Sequence, residues 1–239
     1  MIEVKGLTKR FNGGQYVLNH LDLLIKDGEI LVILGESGTG KSVLLRHLIG
    51  LIRPDQGKVI INDVDITKLS EKELLKLRSN IGYLFQEGAL YDSMTVFENL
   101  AFPLQEHSQL TEPEIEKKIK AVLDMVDLVA VENQYPSQLS GGMKKRVGLA
   151  RSIILDSKIL FCDEPTSGLD PIRSHDISDL IASISRKMKC TTVITSHDVR
   201  NSFRIADRVA ILKDGKLKAL GTPAELKKSE DPFVQEFLS

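Results

Sequence analysis

Apolar and polar positions divide the chain into β-rich ends around a helical middle. Residues 2 to 34 read as strands: Ile2 to Val4, then Tyr16 to Ile25, a turn at Lys26-Asp27-Gly28, and the apolar run Glu29 to Leu34. Behind that run, Val43, Leu44, Leu45, Leu48 and Ile49 fall at helical spacing. The turn Arg53-Pro54-Asp55-Gln56-Gly57 leads to a strand over Lys58 to Ile61. A helix over Ser70 to Arg78 opens on a Ser70/Glu73 capping box, and a short strand, Ile81 to Phe85, delivers Gln86.

From Glu87 to about Ser157 the period is helical. Thr95 and Glu98 form a capping box, and Pro103 is expected to interrupt the helix that this box opens. Thr111 and Glu114 form a second box ahead of the stripe Ile115, Ile119, Val122, Val126, while the charges of Glu116 to Lys120 read as a solvated face. In LSGGMKKRVGLARSII a helix begins after Ser140, with Met143, Val147, Ala150 and Ile154 on one face and Lys144, Lys145 and Arg146 largely on another. Strands at Ile159 to Cys162 and Thr191 to Thr195 flank a helix carrying Ile177, Leu180, Ile181, Ile184 and Met188. Arg208 to Lys213 and Lys216 to Leu220 read as a hairpin across Asp214-Gly215. The expected division is a core of residues 1–86 and 158–220, a helical subdomain of 87–157, and a short helical tail of 221–239.

Composition changes this picture little. With 239 residues, 42% hydrophobic and 27% charged, the chain is an ordinary globular one. Its formal net charge of -1 gives no global pull toward nucleic acid or an anionic membrane. Cys162 and Cys190 lack metal-ligand spacing and sit in apolar runs, so buried thiols are expected. The start MIEVKGLTKRF is neither a signal peptide nor an anchor, and no apolar run approaches the ~20 residues that span a bilayer. If such a chain serves a membrane, it does so from one side, through a partner.

Chemistry enters at Gly35 to Ser42, GESGTGKS, which matches the P-loop pattern at every fixed position. A polyphosphate is gripped by inward-turned backbone NH groups, and Gly35, Gly38 and Gly40, with Glu36, Ser37 and Thr39 between them, permit that curve. The next helix aims its positive end at the phosphates, Lys41 reaches the β and γ groups, and Ser42 offers a hydroxyl to Mg²⁺. Asp163-Glu164 place two carboxylates at a strand end, where Asp163 fits a Mg²⁺ partner and Glu164 a general base on water. Other residues admit two readings. Ser140 is a plain N-cap or a second phosphate-facing helix terminus, Phe11 a local packing residue or a base-stacking ring, and Gln86 a surface amide or a reach toward metal and water. A lone histidine is more often structural; His197, at a strand end on the phosphate side, departs from that background, to which His20, His47, His107 and His175 belong.

GESGTGKS, Gln86, LSGGM, ILFCDEP, SGLD and His197 occur in the order and approximate spacing of the ATP-binding cassette ATPases, which the chain resembles over essentially its full length. The resemblance implies an α/β fold, a RecA-like P-loop core with an antiparallel β subdomain and an inserted helical subdomain, working as a homodimer closed on two ATP molecules with Mg²⁺. By that resemblance Gly35 to Ser42 is the Walker A loop and Gln86 the Q-loop residue. Ser140, Gly141 and Gly142 match the signature facing the other subunit's γ-phosphate, and Phe11 the adenine-stacking ring. Asp163 and Glu164 match Walker B, Asp170 the D-loop, and His197 the γ-phosphate switch. The metal set is Ser42, Gln86 and Asp163. Met143 departs from the glutamine most of the family carries.

A finer resemblance lies in residues 85 to 107, FQEGALYDSMTVFENLAFPLQEH, with SGGM and the tail DPFVQEFL. These look like the ATPase of Mla- or Mce-type phospholipid transporters. That likeness implies a subunit peripheral to the cytoplasmic face of the inner membrane, permease subunits docking near residues 88–102, a lipid-binding substrate protein as further partner, and no nucleic acid. Amino-acid and methionine importer ATPases share parts of the pattern. A soluble cassette ATPase of translation or repair would join two cassettes or insert a long coiled coil. A non-hydrolysing sensor would lose Glu164 or His197, and both are present.

Overall fold

The structure, a computed structural model, describes residues 1–238. The chain packs as two compact units, residues 1–77 with 191–238, and residues 78–190.

The first unit begins with β1 (Ile2–Arg10) and β2 (Tyr16–Ile25), followed by the fully buried β3 (Ile30–Leu34) and α1 (Lys41–Leu48). β4 (Gln56–Ile61), the short β5 (Val64–Asp65) and α2 (Glu71–Arg78) complete this stretch. An antiparallel sheet runs in the order β2-β1-β4-β5. Ile2 pairs with both Ile25 and Ile61, and alternation from that register puts Ile2, Val4, Ile25, Val59 and Ile61 on one buried face.

The second unit starts at β6 (Ile81–Leu84), then takes α3 (Val96–His107), α4 (Glu112–Met125), α5 (Gly141–Ile153), β7 (Ile159–Asp163) and α6 (Pro171–Met188). β6 lies parallel to β7, with Leu84 opposite Cys162. Both capping boxes expected here are formed, Thr95 with Glu98 and Thr111 with Glu114. Pro103, however, does not interrupt: α3 runs through it. One missing N–H is offset by burial on either side, since Leu100 and Leu104 are fully covered and each contributes about 1.5–3 kcal/mol. α5 packs tightly on β6, as a Cβ on Gly82 would lie 2.2 Å from the Ser152 carbonyl oxygen.

The chain then returns to the first unit through β8 (Thr191–Ser196), α7 (Val199–Ile205), β9 (Arg208–Lys213), β10 (Lys216–Gly221), α8 (Pro223–Lys227) and α9 (Pro232–Leu238). β3 sits between β8 and β9, parallel to both, which is why its residues and those of β8 are apolar or buried without alternation. β9 and β10 form the expected antiparallel hairpin. Cys162 and Cys190 are free, buried thiols, as expected, and burial pushes both up from the ordinary thiol range. Among the described residues no helix is long and apolar enough to cross a membrane.

Candidate functional site: a phosphate loop and two carboxylates

In the first unit the loop between β3 and α1 needs its glycines. A Cβ on Gly35 would lie 2.6 Å from the Leu212 carbonyl oxygen and 2.7 Å from the Thr39 hydroxyl. Gly40 caps α1 in the left-handed region, φ 98°, and a Cβ there would lie 2.6 Å from the Val17 carbonyl oxygen. No side chain caps α1, whose N-terminus is the positive end of the helix dipole and follows directly on the loop. The Lys41 ammonium is buried and donates to the carbonyls of Gly35 (2.8 Å) and Glu36 (3.0 Å), which hold a positive charge against the loop. Ser42 comes next, on the first turn of α1.

Register brings His197 to this loop. Leu34 of β3 pairs with Ser196 of β8, so the next residues of the two parallel strands, Gly35 and the exposed His197, leave the sheet side by side. Phe11 lies in the turn between β1 and β2, 44% exposed, with the Lys9 ammonium 5.4 Å from its ring centroid. Tyr16, also exposed, starts the strand whose Val17 meets Gly40, and sequence reasoning passed over it.

The second unit gathers the carboxylates and Gln86. Asp163 ends β7, is buried, and accepts from the Tyr83 hydroxyl of the neighbouring β6 at 3.3 Å. Glu164 is half-buried and holds φ 46°, a conformation that costs a non-glycine residue about 1–2 kcal/mol. The residue follows directly on the last position of β7. Its carbonyl accepts from Ser167 N at 3.1 Å, and the Ser167 hydroxyl accepts from Gln86 Nε2 at 3.1 Å. Asp170 caps α6, accepting from Arg173 N at 3.0 Å. Tyr83 escaped sequence reasoning, because a tyrosine inside a strand carries no motif of its own, and Ser167 was read only as the first residue of SGLD, without its bond to Gln86.

Ser140 is the N-cap of α5 and accepts from Met143 N at 3.3 Å. Gly141 and Gly142 owe nothing to neighbours in this chain: a Cβ on either would find its nearest atom at 4.0 Å and 3.9 Å. Two basic residues of α5 are tied to backbone carbonyls. Lys145 is buried, at 7% exposure, with its ammonium bonded to the Gln86 carbonyl, and Arg146 reaches the Val126 carbonyl at 2.7 Å and Asp127 at 2.9 Å. Long stems let cations serve as packing elements once their heads find carbonyls. Among the described residues no group of three or more His, Cys, Asp or Glu side chains is arranged to hold a metal.

A phosphate loop between a buried parallel strand and a helix is the hallmark of a P-loop nucleotide-binding protein. Residues 18–167 match the ABC transporter family, and the chain belongs to it as an ATP-hydrolysing cassette. Over its whole length it is 44% identical to a probable ribonucleotide transport ATP-binding protein of Mycobacterium leprae, spanning 68% of that relative. It is 44% identical to a methionine import ATP-binding protein of Carboxydothermus hydrogenoformans, spanning 72% of it. To the intermembrane phospholipid transport ATP-binding protein of Haemophilus influenzae it is 40% identical, spanning 90%. The fold matches an ATP-binding cassette solved as a dimer in a post-hydrolysis state with ADP and Pi, with a TM-score of 0.86 and 32% identity over 93% of this chain and 99% of that one.

Proposed function

We propose that this ATPase energises phospholipid transport, bound to the cytoplasmic face of the inner membrane as a homodimer against permease subunits. The observation that carries the lipid reading is the 40% identity to the phospholipid ATPase across 90% of that relative, together with the lipid-type segment 85–107. The 44% identity to the methionine importer favours a second reading, an amino-acid importer. The dimeric relative supports the homodimer, and so do Gly141 and Gly142, whose small size answers to nothing within the chain and leaves room for a second subunit's nucleotide.

In this reading the loop Gly35 to Ser42 binds the ATP polyphosphate, and Lys41 neutralises the β and γ groups. Phe11 stacks on the base. Glu164 takes the proton from the attacking water, Gln86 orients that water, and His197 contacts the γ-phosphate. Ser140 binds the γ-phosphate of the partner's nucleotide, and Asp170 lies at the subunit interface. Ser42, Gln86 and Asp163 fit Mg²⁺: a hydroxyl, an amide oxygen and one buried carboxylate are hard oxygen donors, and a single carboxylate plus substrate phosphates is this ion's usual company. Bound there, the ion would neutralise charge on the β- and γ-phosphate oxygens. Residues 88–102 receive the permease, and a lipid-binding protein completes the assembly.

The test is copurification of a tagged chain from membranes, with the bound lipids identified and uptake of labelled methionine measured in a deletion strain. Phospholipid-binding partners and normal methionine uptake are expected. Loss of methionine uptake with no lipid-handling partner would replace the lipid reading with the importer.

A further inference from the structure

The residues that grip the Gln86 loop are not those that touch nucleotide. α5 presents Lys145, Gly148 and Arg151 at three-residue spacing, hence on one side of the helix, and all three meet the chain between Gln86 and Tyr91. The Lys145 ammonium bonds the Gln86 main-chain carbonyl. Arg151 Nη2 donates to the carbonyls of Gly88 (3.1 Å) and Ala89 (2.9 Å), and its guanidinium lies 5.7 Å from the Tyr91 ring centroid. Between the two cations the backbones nearly touch: a Cβ on Gly148 would lie 3.0 Å from Gly88 Cα, and one on Gly88 3.3 Å from the Lys144 carbonyl oxygen. Helix and loop therefore form one clamped piece. A buried ammonium is costly unless its protons are taken up, and here a carbonyl takes one while the Glu87 carboxylate supplies opposite charge.

The clamped loop carries a side chain with a task. Gln86 points its amide to the Ser167 hydroxyl, and Ser167 N is bonded to the Glu164 carbonyl, so the position of the Gln86 backbone sets where its amide stands beside the general-base turn. We propose that Lys145 is a positioning residue for hydrolysis: by holding the Gln86 carbonyl it locks the Gln86 amide in register with Glu164 and ties that register to the helix headed by Ser140. The inference rests on the reading that Gln86 and Glu164 act on the nucleotide.

The test is a double-mutant cycle on the full chain. Lys145→Met keeps the aliphatic stem and removes the ammonium, so it should lower kcat about tenfold while the KM for ATP, set by the loop of the other unit, stays within about twofold. In a Gln86→Ala background the same substitution should cost less than about twofold further, because its route of action is already gone. A kcat within about twofold of wild type, or the same tenfold loss repeated in the Gln86→Ala background, would overturn the proposal in favour of plain helix packing. Should Lys145→Met fail to fold, the cycle is run with Lys145→Leu, which likewise has no donor for the Gln86 carbonyl, and the same two outcomes decide. A wild-type chain without hydrolysis, or a Lys41→Ala chain with it, would sink the underlying reading, and neither result involves a Lys145 variant.

Discussion

Glu164 shows how a residue's backbone and side chain answer to different demands. Its φ of 46° would suit asparagine or glycine better, yet a carboxylate stands there, and the proposed role as general base would be a reason to retain it. Glu164→Gln keeps the shape and the same backbone cost while removing the proton acceptor. Hydrolysis should fall by about 10²- to 10⁴-fold with the melting temperature unchanged and ATP still bound. A steady-state assay beside a thermal melt checks this, and near-normal turnover would remove Glu164 from the role of base. Lys41→Ala should instead abolish nucleotide binding, because it removes the buried ammonium held over the loop; equilibrium binding of a fluorescent ATP analogue separates the two variants.

At the scale of elements, α1 joins the phosphate loop to a histidine that no motif singles out. His47 is 1% exposed, its Nδ1 donates to the Val43 carbonyl at 2.7 Å, and its Nε2 has no partner among the described residues. Burial holds its pKa below the ordinary imidazole value; the Lys9 ammonium adds to that, while the Val43 carbonyl and Asp55 oppose it. The folded chain thus binds this proton less readily than the unfolded one. Stability from this group is present above about pH 6.5 and lost as pH falls below it through the folded value. The melting temperature should drop between pH 7.5 and about 5.5 more steeply than in His47→Leu, which has no proton to take up. Parallel slopes in the two chains would refute it. Capping boxes, the P-loop and the strand-end carboxylates were legible because each is written within a few consecutive residues. The partners of Lys145, Tyr83 and Ser167 were not: they depend on which helix, strand or loop packs alongside. The Lys145, Gly148, Arg151 column was the one available signal, a glycine between two cations marking a close approach. Pro103 misled for the same reason, since the burial of Leu100 and Leu104 is tertiary.

For the whole molecule, the proposed docking of a permease near residues 88–102 comes down to which side chain to alter. Asn99 is buried and stitches the segment before α3 into one shape, accepting from Tyr91 N at 2.9 Å and donating to the carbonyls of Tyr91, Met94 and Thr95 at 3.0–3.1 Å. A loop held that firmly presents a preorganised surface, which lowers the entropic cost of docking. Tyr91 is 47% exposed, lies edge-on to the exposed Phe102 at 5.7 Å, and is backed by Arg151; Met94 is half-buried, and Val96 is fully covered in α3. Tyr91 is therefore the better probe of a partner surface, and Met94 a mixed one. Tyr91→Glu should leave folding and ATP binding of the isolated chain intact, because the ring supports no buried core. It should weaken permease capture by at least about tenfold, the scale of truncating a central aromatic anchor. Pulldown of permease beside a thermal melt reads both quantities. Retained capture with an intact fold would move the docking surface away from residues 88–102, and loss of folding would show that the Tyr91–Phe102 pair is core after all.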